Sequence, residues 1–144
     1  MAENNQLFSS YDYSKIFVWQ PRYEDRLYTN NTGSTVNLSA GTLMGTILAS
    51  GQTQPQVSSA TDGSEQPDGV LGQNYTVADG ETVTVSVCIG GDVRQDKLIF
   101  GGSDTLTTPV RTVSTGGGTI KALILRNTQI ILVPSTDQTY LDNA

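Results

Sequence analysis

The residues best equipped for chemistry are few, and each stands without the neighbours that chemistry needs. Cys88 is the single cysteine. It lies in Thr82-Val83-Thr84-Val85-Ser86-Val87-Cys88-Ile89, an alternating pattern that makes it an apolar neighbour in a strand rather than a nucleophile. The chain has no histidine, so a Ser–His–Asp triad lacks its base and a zinc site lacks its commonest ligand. Asp62, Glu65 and Asp68 crowd a turn-rich stretch where calcium chemistry is conceivable, but their spacing misses the EF-hand pattern. A carboxylate pair of the glycosidase kind stays open in principle. Gly116-Gly117-Gly118 ahead of Thr119-Ile120-Lys121 lacks the spacing of a phosphate loop and reads as a flexible link. The sequence therefore predicts no enzyme, no metal and no cofactor.

The chemistry that remains is contact. Seven of the ten aromatic residues fall in the first 28 positions: Phe8, Tyr11, Tyr13, Phe17, Trp19, Tyr23 and Tyr28. A core spreads its large side chains more evenly, whereas aromatics are favoured at interfaces for their large area and few rotors. Residues 1–34 are read as an N-terminal arm with one strand, Ile16 to Gln20, ended by Pro21. Its expected contact residues are Phe8, Tyr11, Tyr13, Ile16, Phe17, Val18, Trp19, Tyr23 and Tyr28. The competing reading folds this segment back into its own core.

Charge excludes other partners. The net charge is -6, and no Lys or Arg occurs between Arg26 and Arg94. Nucleic-acid binding needs clustered cations, and none is present. No apolar run approaches membrane-spanning length, and the polar, acidic N-terminus lacks the pattern of a signal peptide. Synthesis in a cytoplasm is the expectation. Three Asn-x-Ser/Thr triplets begin at Asn30, Asn37 and Asn74, but they are expected by chance in a chain so rich in Ser and Thr.

The elements behind these residues read as short strands and turns. Thr42 to Ala49 is a strand with a turn at Ser50-Gly51. Pro67-Asp68-Gly69 is a turn leading to Val70-Leu71. Val83, Val85 and Val87 share one face of the next strand, opposite Thr82, Thr84 and Ser86. Gly90-Gly91 is expected to break that strand, and Asp92 to Lys97 to form a helical turn. Thr119 to Leu125 suits a short helix or a strand, and Gln129 to Val133 is the last strand. The fold class is all-β, a small barrel or sandwich-like body with little helix. The body is placed at residues 35–137 and a C-terminal tail at 138–144.

The order of these features resembles a known family. Ala40-Gly41-Thr42, Ile47-Leu48-Ala49-Ser50-Gly51, Asp62-Gly63-Ser64 and Gly69-Val70-Leu71-Gly72 precede the Thr/Val strand. Gly90-Gly91-Asp92-Val93, Leu98-Ile99-Phe100, Ile120-Lys121-Ala122-Leu123 and Ile130-Ile131-Leu132-Val133 follow it. This is similar to the lambda-type head decoration proteins of tailed bacteriophages. The resemblance implies a homotrimer on the outer surface of the expanded capsid. It also implies the major capsid protein as partner, an arm that pairs with the shell, and a role as cement. Two other readings stay in view: a head-fibre base, and a carbohydrate-binding module with Trp19 or Tyr75 as stacking platform.

Overall fold

The structure is a computed structural model that describes residues 15–110 and 118–134. Phe8, Tyr11 and Tyr13 lie outside the described residues. In chain order the strands are β1 (Phe17–Thr29), β2 (Val36–Leu38), β3 (Leu43–Thr46), β4 (Thr53–Pro55), β5 (Pro67–Leu71), β6 (Tyr75–Val77) and β7 (Thr82–Arg94). After a 3₁₀ turn at Gln95–Lys97 come β8 (Pro109–Val110), β9 (Gly118–Thr119), helix α1 (Ile120–Asn127) and β10 (Gln129–Val133). The main sheet runs β1-β7-β5-β3-β4, with β10 parallel to the end of β7. Two ribbons, β2–β6 and β8–β9, stand apart from it, and no sheet is closed among the described residues. The mostly-β expectation holds.

Alternation builds both faces of the sheet at once. Consecutive residues of a strand point to opposite sides. Leu43, Val70 and Cys88 thus join one buried cluster, while their neighbours Met44, Leu71 and Val87 join another. Ile120, Leu123 and Ile124 of α1 pack into the first cluster, and Leu38 and Val77 of the β2–β6 ribbon into the second. The i, i+3, i+4 spacing of the α1 residues decides helix over strand. Its start is fixed by the Thr119 hydroxyl, which accepts a hydrogen bond from the Ala122 amide at 3.2 Å.

Two expectations need correction. The first is the end of the strand at Pro21. β1 is a 13-residue strand of the main sheet, paired antiparallel with β7 from Phe17↔Val93 to Thr29↔Thr82. Pro21 does not end it, because β1 lies at the sheet edge, where a missing N–H need not break a ladder. Beyond it, Asn30 is fully buried, and its amide donates to the carbonyls of Ser34 and Val77 at 2.8 and 2.9 Å. Residues 17–34 are therefore built into the body.

The second correction concerns Gly90-Gly91, which the strand passes through without ending. Arg22 pairs with Gly90 and Tyr23 with Cys88, leaving Ile89 as an extra residue on β7. This bulge explains why Val93 shares the cluster of Cys88 despite an odd separation. Gly91 has φ +102°, and a Cβ there would meet the Gln20 carbonyl oxygen at 2.6 Å. Gly80 also has a positive φ but open space around it. Gly91→Ala is therefore expected to destabilise by about 2–4 kcal/mol, adding overpacking to backbone strain, against about 1 kcal/mol for Gly80→Ala. Urea denaturation of the two variants measures the difference.

Candidate interaction surface

The catalytic candidates dissolve into structural roles. Cys88 is buried, its thiol lies 3.1 Å from the Gly90 carbonyl, and burial pushes its pKa up, away from the reactive thiolate. Asp62 accepts from the Ser64 hydroxyl at 2.6 Å and the Ser64 amide at 3.0 Å, which holds its carboxyl below the usual range despite slight burial. Glu65 accepts from the Gly63 amide at 2.8 Å. Asp68 faces the other way, toward Arg26 and Thr46. The three carboxylates are separately engaged, and among the described residues no group of three His, Cys, Asp or Glu side chains could hold a metal.

Arg26 was not singled out by its sequence context, yet it ties three strands together. Its guanidinium reaches across the sheet from β1 to β5, donating to the Asp68 carboxylate at 2.6 Å and to the Asp68 carbonyl at 3.3 Å. Its Nε donates to Glu24 at 2.6 Å. The other Asp68 oxygen accepts from Thr46 of β3 at 2.5 Å. Burial opposes the charge on Arg26, but Asp68 and Glu24 outweigh it and hold its pKa above the ordinary value. The partners lie 42 residues apart, so no local pattern announces the pair.

The described aromatic-segment residues fall into three groups. Val18 and Tyr28 are buried in the body. Ile16, Phe17 and Tyr23 line an open groove of about 600 Å³ together with Lys15 and Lys97. The Phe17 and Tyr23 rings meet edge to face at 5.6 Å. Tyr23 remains 45% exposed even though its ring lies against Gly72, where a Cβ would sit 2.8 Å from it. Trp19 stands apart, half-buried in a second cleft with Arg22, Asp92 and Gln129. Between the two sites the backbone is irregular. The β1–β7 register shifts three times from Phe17 to Tyr23, and Gln20 adopts φ 46°, the one positive φ of a non-glycine among the described residues. That conformation costs about 1–2 kcal/mol and turns Trp19 out of step with the residues that follow.

Both ends of the described chain come to this place. Phe17 pairs with Val93, Val133 of β10 lies beside Arg94, and the Arg94 amide donates to the Ile16 carbonyl at 2.9 Å. The first and last described stretches therefore meet at one end of the described body.

The described residues form a strand-rich body with Phe17, Trp19 and Tyr23 at the end where its first and last described strands meet. A family model, described as the bacteriophage lambda head decoration protein D, matches residues 24–122. The chain belongs to this family. No curated protein matches it. As a head decoration protein it is a structural component of the phage head, associated with the capsid and located in the virion. The match begins inside β1 and ends inside α1. Of the nine expected contact residues, only Tyr28 lies within it, and in this decoration protein Tyr28 belongs to the core.

The Arg26 network yields a stability prediction. Arg26 and Asp68 are mostly shielded from solvent, whereas the Glu24 side chain is 47% exposed. A double-mutant cycle between Arg26→Met and Asp68→Asn is expected to give a coupling of about 1–2 kcal/mol. The Arg26–Glu24 cycle is expected to give under about 0.5 kcal/mol. Thermal or urea melts of the single and double variants provide both values.

Proposed function

We propose that this protein binds the outer surface of the expanded head as a homotrimer and cements the shell, with the major capsid protein as its partner. Membership of the head decoration family carries this reading. A decoration role requires no reaction, only many contacts made together. Three copies joined as one unit turn weak contacts into tight attachment, because binding of the first raises the effective concentration of the others.

The capsid-binding arm is assigned to residues 1–16, with Phe8, Tyr11, Tyr13 and Ile16 as its contact side chains. Phe17 and Tyr23, which share a groove with Ile16, form its root on the body, and Trp19 lies in the neighbouring cleft. Val18 and Tyr28, buried in the sheet, hold that root in place. An extended segment can add a strand to a sheet edge of the shell and gain backbone hydrogen bonds, while its aromatics fill pockets beside it. The exit of the chain beside Arg94, next to the Phe17–Tyr23 groove, supports this placement. Uncharged polar residues with a net charge of -6 keep the decorated particle soluble.

The test is removal of residues 1–14. The truncated protein is expected to keep its β-rich circular dichroism spectrum and its trimeric mass in solution, because β1 is untouched. Its apparent affinity for expanded heads should fall by a factor of about 100 or more, the scale lost when three linked contacts are removed. Cryo-electron microscopy of heads mixed with each protein reads the occupancy. Full occupancy by the truncated protein would contradict the arm assignment, and a monomeric full-length protein on and off the heads would contradict the trimer.

A further inference from the structure

We propose that the cleft over Gly91 and Asp92 is a binding site for a neutral saccharide, with Trp19 as its stacking platform. The cleft measures about 590 Å³ and is open to solvent. Trp19 forms one wall, and Ile131, 61% exposed, stands on the β10 side. Arg22, Asp92 and Gln129 supply a guanidinium, a carboxylate and a carboxamide to the same space. A pyranose ring presents an apolar C–H face and a rim of hydroxyls. An indole covers the face, and planar polar groups engage adjacent hydroxyls in pairs. Arg22 and Asp92 carry opposite charges, so the lining favours a neutral sugar over an acidic or a basic one.

The site is held by unusual backbone. A Cβ at Gly90 would meet the Arg22 guanidinium at 2.7 Å from Nε and 2.9 Å from Cζ, so Arg22 lies flat over a bare glycine. Arg22 also donates to the Gln129 side-chain oxygen, linking β1 to β10 across the end of β7. Left-handed Gln20 and the clustered register shifts set Trp19 out of the regular ladder. Bulges and strained residues of this kind re-aim side chains at binding sites.

The strand pairing favours a sugar over a peptide strand, and the family match shows where the site lies. The floor of the cleft has no free backbone edge, since β7 pairs there with β1 on one side and β10 on the other. All lining residues except Gly91 and Asp92 fall outside the range of the family match, so the site is an addition to the part this chain shares with the family model.

Trp19 is the sole tryptophan, so its fluorescence reports on this cleft alone. The full-length protein is titrated with the methyl glycosides of glucose, galactose, mannose and N-acetylglucosamine, and probed on an array of neutral oligosaccharides. A saturable emission change with a midpoint of about 1 mM or below is expected for at least one sugar. Array binding should vanish in Trp19→Ala, persist in Trp19→Phe, and weaken by about tenfold in Asp92→Asn, with all three variants giving the native circular dichroism spectrum. A flat response to all four glycosides together with a blank array overturns the proposal. Sugar binding that survives Trp19→Ala also overturns it. An emission change seen only with expanded heads overturns it too, making the cleft a protein contact.

Discussion

The pairing of β1 with β7 is the constraint on which the rest of this structure depends. Both strands are 13 residues long, and their ladder runs almost end to end. β7 is the centre of the molecule: β5 pairs with its middle, β10 with its end, and β1 with its whole other edge. Its Val85, Val87, Cys88 and Val93 are fully buried, two in each cluster. Backbone donors and acceptors beside such residues need partners, because a buried polar group without one is costly. β1 supplies those partners. It also carries Arg26, which fastens the ladder to β5 and, through Asp68, to β3.

That constraint shapes attachment. A segment locked into the central ladder cannot also be given up to another sheet without exposing β7. The proposed attachment therefore falls to what precedes β1, together with the side chains β1 turns outward. The three register shifts fall at this junction. They let one strand serve two purposes: regular pairing from Tyr23 to Thr29, and a displaced, aromatic end from Phe17 to Arg22. The same end receives β10, so residues from both halves of the chain gather around Arg94.

Much of this was legible in the sequence, and the misses share a cause. The alternation of Val83, Val85 and Val87 gave the exposed and buried faces of β7 correctly, since that pattern is local. β10 was equally plain, an apolar run closed by Pro134. Gly90-Gly91 was misread because glycine signals a turn when viewed alone, and here it answers the close approach of the Gln20-Pro21 backbone from a distant strand. Pro21 misled for the same reason: its tolerance depends on β1 being an edge, a property of the sheet. The aromatic crowding was real, but period-two burial assigns Val18 and Tyr28 to the core and leaves Tyr23 outside. Which alternate face is inward cannot be told until the partner strand is known. Arg26 and Asp68 meet only through the fold.

The first 34 residues divide into the proposed attachment arm and a strand, β1, that belongs to the body. Amide hydrogen exchange, followed by mass spectrometry on the free protein and on the protein bound to expanded heads, tests this division most directly. Strong protection of residues 23–29 is expected in both states, matching that of 82–88, with protection of residues 1–14 that increases on the heads. Rapid exchange of residues 23–29 in the free protein, slowed only by binding, would contradict it by showing that β1 is itself part of the arm.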